Sequence, residues 1–427
     1  MHRLLLLALA LLVLVPPALA QAPTWTLLSD SPSAGRHEDL AFIDPETGWV
    51  VNGSGEVWRT LDGGQTWDET ARLSGYLRSA GFASATKGWV GVLFSSTRLY
   101  ETLDGGLTFT DISSRIQPAA PAGICGLWVV NDQVAYGVGE FGGPAFVVKT
   151  ADGGQTWTSQ SLSSLADTAV DVFFLDEQRG FIAAGVGGLN ATSQVRVLAT
   201  TDGGDTWTVR YTSARTGAWG WKLSFPTPEV GYVSAELNNF STDGFALKTT
   251  DGGQTWEEVP IPGGGSLQGI GFATPEVGWT SGRGSSSVTT DGGETWEQIS
   301  LDGSINRFRF YDGVGYAAGG RVYKVELSPV AVEPGADGAT RLVQVAPNPA
   351  PGALTATYHL ARTGPVHVAV LDVHGRTVAV LADGVEAAGT QVARWGAGAE
   401  GAAPGAYLLR LQTEDGVWVR TVTLLGR

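Results

Sequence analysis

Short apolar runs alternate with turn residues along most of the chain, and the alternation itself repeats. An apolar run ends in an aromatic residue, and about six residues later a glycine-aromatic pair opens the next run. This reads Phe42 then Gly48-Trp49, Phe82 then Gly88-Trp89, Phe174 then Gly180-Phe181, Phe225 then Gly231-Tyr232, and Phe272 then Gly278-Trp279. Weaker versions, Trp128 then Ala135-Tyr136 and Phe310 then Gly315-Tyr316, bring the count to seven units. Runs of four to eight residues bounded by Gly, Asp and Asn predict strands joined by tight turns. In the first unit they predict strands over 39–43, 48–52, 56–61 and 66–69.

A second signal keeps the same beat. The segment T-x-D-G-G-x-T-[WF] starts at Thr60, Thr102, Thr150, Thr200, Thr249 and Thr289. Its acids, Asp62, Asp104, Asp152, Asp202, Asp251 and Asp291, recur every 40 to 50 residues, the length of a four-stranded propeller blade. The D-G-G step predicts the turn between the third and fourth strands, because Asp accepts backbone N–H bonds and Gly supplies positive φ. The aromatic closing each box, Trp67, Phe109, Trp157, Trp207, Trp256 and Trp296, packs across the hairpin on this reading. The seventh unit, 306–327, has three strand-like runs and then stops, while the segment 24–28 is an orphan resembling the strand after each box. Pairing the two closes the ring and removes an open sheet edge. The prediction is all-β: a seven-bladed β-propeller over 21–328, closed by its N-terminal strand.

Residues 329–340 break the pattern with Pro329, Pro334-Gly335 and Asp337-Gly338, and read as a linker. Beyond it the boxes disappear. Six or seven short alternating runs within 341–427 predict an Ig-like β-sandwich. The first twenty residues carry His2 and Arg3, an apolar run over 4–15 and a small-residue stop at Ala18-Leu19-Ala20, which reads as a secretory signal. Such a run is shorter than the roughly 20 residues a membrane helix needs. The expected product is exported, then secreted or held at the outer cell surface, monomeric and without a transmembrane segment.

Charge changes the picture of partners. The 427 residues contain 27 Lys plus Arg and 42 Asp plus Glu, for a net charge of −15. The split is uneven: 21–340 holds 19 basic and 36 acidic residues, and 341–427 holds seven Arg, no Lys and six acids. So acidic a first module repels phosphate backbones, which disfavours nucleic acid. One Cys and five scattered His give no metal constellation, and no cofactor is expected.

The boxes resemble the Asp-box, or bacterial neuraminidase repeat, and their arrangement over 23–328 looks like the propellers of photosystem II assembly factors. The resemblance implies a fold rather than a function. Chlorophyll-protein partners approached through basic patches do not suit this acidic surface, and a photosynthetic role is not carried over. Asn348-Pro349, Asp372 with Gly375-Arg376, Gly389, and Gly405 with Tyr407 look like the type A sorting domain of the type IX secretion system. That resemblance implies that 341–427 is an address read by the secretion machinery. The Lys-rich ending common in that family is replaced here by Leu424-Leu425-Gly426-Arg427.

Six repeated box acids on a rim are structural, since no reaction needs six separated copies. One acid per box is too few for calcium. A sialidase-like glycoside hydrolase is the enzymatic alternative; it needs an Arg cluster, with Arg36 as its possible first member, and paired carboxylates on the inner strands. Cys125 reads as a buried inert thiol. The preferred reading is a binding protein that recognises a protein or glycan through long loops on one face, 113–123, 185–193 and 212–222. Arg215, Trp219 and Trp221 are the candidate binding residues, the two indoles sharing one face for stacking; the alternative for the indoles is packing between the fourth and fifth blades.

Overall fold

The computed structural model describes residues 22–118, 121–139, 142–238, 243–301, 305–311, 313–327, 340–346, 353–372, 377–396, 402, 405–413 and 416–424. The expected leader, most of the expected linker, and Asn348, Pro349, Gly375 and Arg376 lie outside the described residues. The chain divides into two compact units, Met1–Ser328 and Pro329–Arg427.

Among the described residues the first unit carries seven sheets, each opening with an inner strand. In chain order these strands are His37–Phe42, Tyr76–Phe82, Gly126–Val129, Thr168–Phe174, Ala218–Ser224, Leu267–Phe272 and Arg307–Tyr311. Each neighbours the next, and the last neighbours the first, so they surround a common axis. Within a sheet the strands follow one another as an antiparallel meander. The seventh sheet receives its fourth strand from the other end of the unit: Thr26 pairs with Lys324 and Leu27 with Tyr323. Trp25 packs beside this pairing against Trp279, Phe308 and Phe310, with ring centroids 5.4, 5.5 and 6.2 Å away. The third sheet has a fifth strand, Ile116–Gln117, running parallel to Trp157–Ser161.

The periodic aromatics bind neighbouring sheets together. Phe42 stacks at 3.7 Å on Tyr316 of the preceding sheet, Phe82 at 3.6 Å on Trp49, Phe174 at 3.7 Å on Tyr136 and Phe272 at 3.5 Å on Tyr232. The box Trp of the same sheet meets the phenyl edge-on, as Trp67 meets Phe42 and Trp207 meets Phe174. The glycine before each second-strand aromatic makes room for its own Phe: a Cβ on Gly48 would lie 2.4 Å from the Phe42 ring, and one on Gly278 2.3 Å from Phe272. The third sheet has Val129 where the others carry Phe, and there Trp157 meets Trp89 directly at 5.7 Å.

The box turns bond alike. Thr60 Oγ1 donates to Asp62 Oδ1 at 2.8 Å and accepts from the Gly64 amide at 2.8 Å. The Thr66 amide and hydroxyl then donate to Asp62 at 2.9 and 2.6 Å. Both glycines have positive φ, 70° and 85° in the first box, where a side chain would be strained. These donors lower all six carboxyls, those of Asp104, Asp152, Asp202 and Asp251 to about 2. Burial opposes the Thr donors at all six; the donors lead at the first five turns, whereas at Asp291 burial is the largest single influence and the donors together outweigh it.

The second unit, described by itself, has a three-stranded and a four-stranded antiparallel sheet. They share one apolar core that includes Leu354, Tyr358, Val368, Trp395, Leu409 and Val422. Tyr407 is buried with its ring 5.2 Å from Trp395, Gly389 has φ +107°, and Asp372 ends the strand Gly364–Asp372.

Candidate functional site

Residues i and i+2 of a strand share a face, so each inner strand sends one side chain to each successive layer along the axis. The middle layer is ionic. Arg307 Nε donates to Asp39 Oδ1 at 2.7 Å, Nη1 to Asp171 Oδ2 at 2.9 Å and Nη2 to Asp171 Oδ1 at 2.8 Å. All three residues are at most 1% exposed. Asp39 also accepts from the Leu40 and Ala80 amides, and Asp171 from the Leu223 amide. One guanidinium thereby links carboxylates of the first and fourth sheets. Burial alone would raise the Asp171 carboxyl, but Arg307 and then Lys222 outweigh it and hold the group well below the usual carboxylate range. Lys222 Nζ lies 3.9 Å from Asp171 Oδ1 without a hydrogen bond. Burial, then the charges of Arg307 and Arg78, bring this amine down to about 7.

Toward the start of the inner strands a polar belt fills the axis. The register shifts at 37/39, 77/79, 220/223 and 267/269 add a residue to the strand and turn Glu38, Arg78, Trp221 and Gln268 inward. Arg36 grips Glu38 through two bonds of 2.8 Å and donates to Gln268 at 2.8 Å. Gln268 donates to Glu236 at 2.7 Å, and Arg283 reaches the same carboxylate at 3.2 Å. Tyr76 donates to Glu38, and Arg78 lies 3.6 Å from it.

The indoles expected on a surface loop belong to this belt, which corrects the loop reading. Trp219 and Trp221 lie on the inner strand Ala218–Ser224, 6% and 4% exposed, in one apolar cluster with Leu93, Cys125 and Val170. They do share a face, as the W-G-W alternation predicts, but that face is the axial interior. Trp219 Nε1 donates to Glu236 at 3.1 Å and Trp221 Nε1 to Asn306 at 2.7 Å. Arg215 stays half-exposed, paired with Glu258 at 3.0 Å and 4.8 Å above Phe245, so the three residues form no common platform. Of the long loops, 113–123 is partly consumed by the edge strand Ile116–Gln117, with Arg115 bound to Glu101 at 2.8 Å. The other two meet where the Gly217 amide donates to Ser193 O at 2.7 Å. Cys125 is fully buried, and burial pushes its thiol up.

At the opposite end of the inner strands the axis is open. A cavity of about 300 Å³ is walled by Trp128, Phe173, Phe225, Phe272, Phe310 and Tyr311. Its floor includes the buried side chains of Leu223 and Phe308. Arg309 enters from the seventh sheet and crosses to the third, its guanidinium carbon 5.1 Å from the Trp128 ring centroid. Five of the six aromatics are only part-buried. Sequence reasoning missed this site, although Arg307-Phe308-Arg309-Phe310 alternates so as to place two cations on one face of a strand.

Among the described residues no group of His, Cys, Asp and Glu could hold a metal, and no helix is long and apolar enough to cross a membrane.

No family model and no curated protein matches the chain. Among solved structures it is similar to YCF48 bound to a D1 peptide, at 18% identity over 73% of this chain and 99% of that one, with a TM-score of 0.54. It is also similar to a GH74 xyloglucanase from Xanthomonas campestris, at 14% identity over 79% of this chain and 59% of that one, with a TM-score of 0.52. PorZ, a surface component of the type IX secretion system of Porphyromonas gingivalis, aligns at 14% identity over 94% of this chain and 61% of that one, with a TM-score of 0.50. At such identities the likeness establishes the fold: the chain is an all-β protein built on a propeller.

Proposed function

We propose that this is an exported bacterial binding protein. Residues 21–328 form a seven-bladed Asp-box propeller, closed by its N-terminal strand, that recognises a protein or glycan at its axial mouth. Residues 341–427 form an Ig-like sorting domain for the type IX secretion machinery. The observation that carries the binding reading is the aromatic cavity around Arg309, a preformed concave site on a rigid ring. The peptide held by the YCF48 neighbour supports ligand capture on this fold, and the likeness to PorZ agrees with a place at the cell surface.

The rival reading, a glycoside hydrolase, draws on the GH74 neighbour. It requires two carboxylates roughly 5 to 9.5 Å apart, one able to give or take a proton at the substrate. Among the described residues the inner-strand carboxylates Glu38, Asp39 and Asp171 are each bound to an arginine, which argues against that role. A screen of the exported chain against peptide and glycan arrays, with soluble glycans assayed for cleavage in parallel, tests the choice. Binding lost in Trp128→Ala supports the reading, and turnover of a glycan replaces it with the rival. Deleting 341–427 in a bacterium with type IX secretion is expected to leave the propeller in the periplasm; undiminished surface delivery would refute the sorting role.

A further inference from the structure

We propose that the axial cavity binds the C-terminal end of another polypeptide, seating the terminal carboxylate on Arg309 and a large apolar last side chain among the aromatics. The proposal rests on the binding reading above and gives its ligand a chemistry.

Two arginines occupy the same face of the seventh sheet's inner strand and differ in what they meet. Arg307 is saturated by Asp39 and Asp171. Arg309 lies two residues further toward the mouth, about 7 Å along the strand. Among the described residues it makes no hydrogen bond and no ion pair; its contact is the face of Trp128. Burial, then the neighbouring charge of Arg307, act against its own charge. A guanidinium lying over an indole keeps its N–H edge available, and that edge matches a carboxylate with two parallel hydrogen bonds. The cavity therefore supplies a desolvated cation where an anion is wanted, beside apolar walls that want a hydrocarbon.

The shape selects a chain end. A segment passing through would need a second exit, and the axis is blocked below the cavity by Leu223 and Phe308 and then by the Arg307 ion-pair layer. About 300 Å³ sits at the lower limit of ligand pockets, suited to one large side chain with its carboxylate rather than a folded surface. The charge of the surroundings narrows the choice further. With 36 acids against 19 basic residues over 21–340, the propeller repels polyanions at long range, whereas a single recessed carboxylate is held at short range by one arginine.

The test uses the full exported chain and fluorescence anisotropy with a library of labelled hexapeptides of varied last residue, each made as the free acid and as the C-terminal amide. Acids ending in Phe, Leu or Trp are expected to bind, and their amides to bind about 10- to 100-fold more weakly, the range expected for a hydrogen-bonded charged group. Arg309→Gln should erase the difference between acid and amide, and Arg309→Lys should retain part of it. Equal binding of acids and amides, with Trp128→Ala weakening both, would overturn the carboxylate assignment while leaving the binding reading intact. N-acetyl-phenylalanine competing as strongly as the best peptide would identify a small free carboxylate instead and overturn the chain-end proposal. Failure of every peptide acid to bind, alongside capture of a glycan, would overturn it as well.

Discussion

Replacing Arg307 with Met tests whether the ionic layer holds the ring together. The substitution keeps most of the side chain's volume and removes three strong hydrogen bonds from two carboxylates that are at most 1% exposed. Asp39 would retain two backbone amides and Asp171 one, with Lys222 3.9 Å away. Stripping one partner from a buried ion pair typically costs about 3 to 5 kcal/mol, because the remaining charge is left uncompensated. At about 2 °C per kcal/mol for a domain of this size, the Tm should fall by about 6 to 10 °C. The pH dependence gives a second readout. In the native protein the depressed Asp171 carboxyl contributes stability above its unfolded pKa of about 4, and this is lost on acidification. Without Arg307, burial acts on Asp171 with less opposition and its folded pKa rises, so protonation relieves the penalty and the gap to the native protein narrows as the pH falls. Combining Arg307→Met with Asp39→Asn and Asp171→Asn should recover most of the loss. Thermal unfolding of the three proteins between pH 4 and 8 measures all of this. A single-variant shift below about 2 °C, or a gap that widens in acid, would refute the account.

Trp25→Ala removes the aromatic packed on Trp279, Phe308 and Phe310 and should destabilise the propeller by about 2 to 4 kcal/mol in denaturant unfolding; an unchanged midpoint would show that the N-terminal strand does not help to close the ring. Gly48→Ala drives a methyl to 2.4 Å from the Phe42 ring and should cost about 1 to 3 kcal/mol, whereas Gly35→Ala, with open space around it, should be neutral. The six box carboxylates are depressed in the fold, so their contribution is present above about pH 4 and is lost as the pH falls toward about 2. Circular dichroism during acid titration should show that loss, and Thr108→Val, which deletes the 2.6 Å hydroxyl bond to Asp104, should move its onset to higher pH.

Much of the layout was legible because the same signals recur. The D-G-G boxes demand positive φ twice in succession, and each glycine-aromatic pair demands space for a phenyl ring; both leave marks in the sequence itself. The partnership between Phe42 and Tyr316 was not legible, since it joins two sheets that are distant in sequence. The axial placement of Trp219 and Trp221 was hidden for a different reason. Alternation with glycine shows that two indoles share a face, but the register shift between Gly220 and Leu223 decides what that face meets. Arg309 escaped because its environment is assembled from separate sheets, none of which resembles a binding motif alone.

The pairing of Thr26 and Leu27 with the last sheet sets the timetable of folding. Leu28 and Arg321 share a hydrogen bond across 293 residues, so a strand made before the rest of the propeller finds its place only after the last sheet exists. No early fragment contains both halves of that sheet, and contacts so remote in sequence form slowly. A propeller synthesised from its amino end thus stays unlatched until nearly all of its sheets have been made.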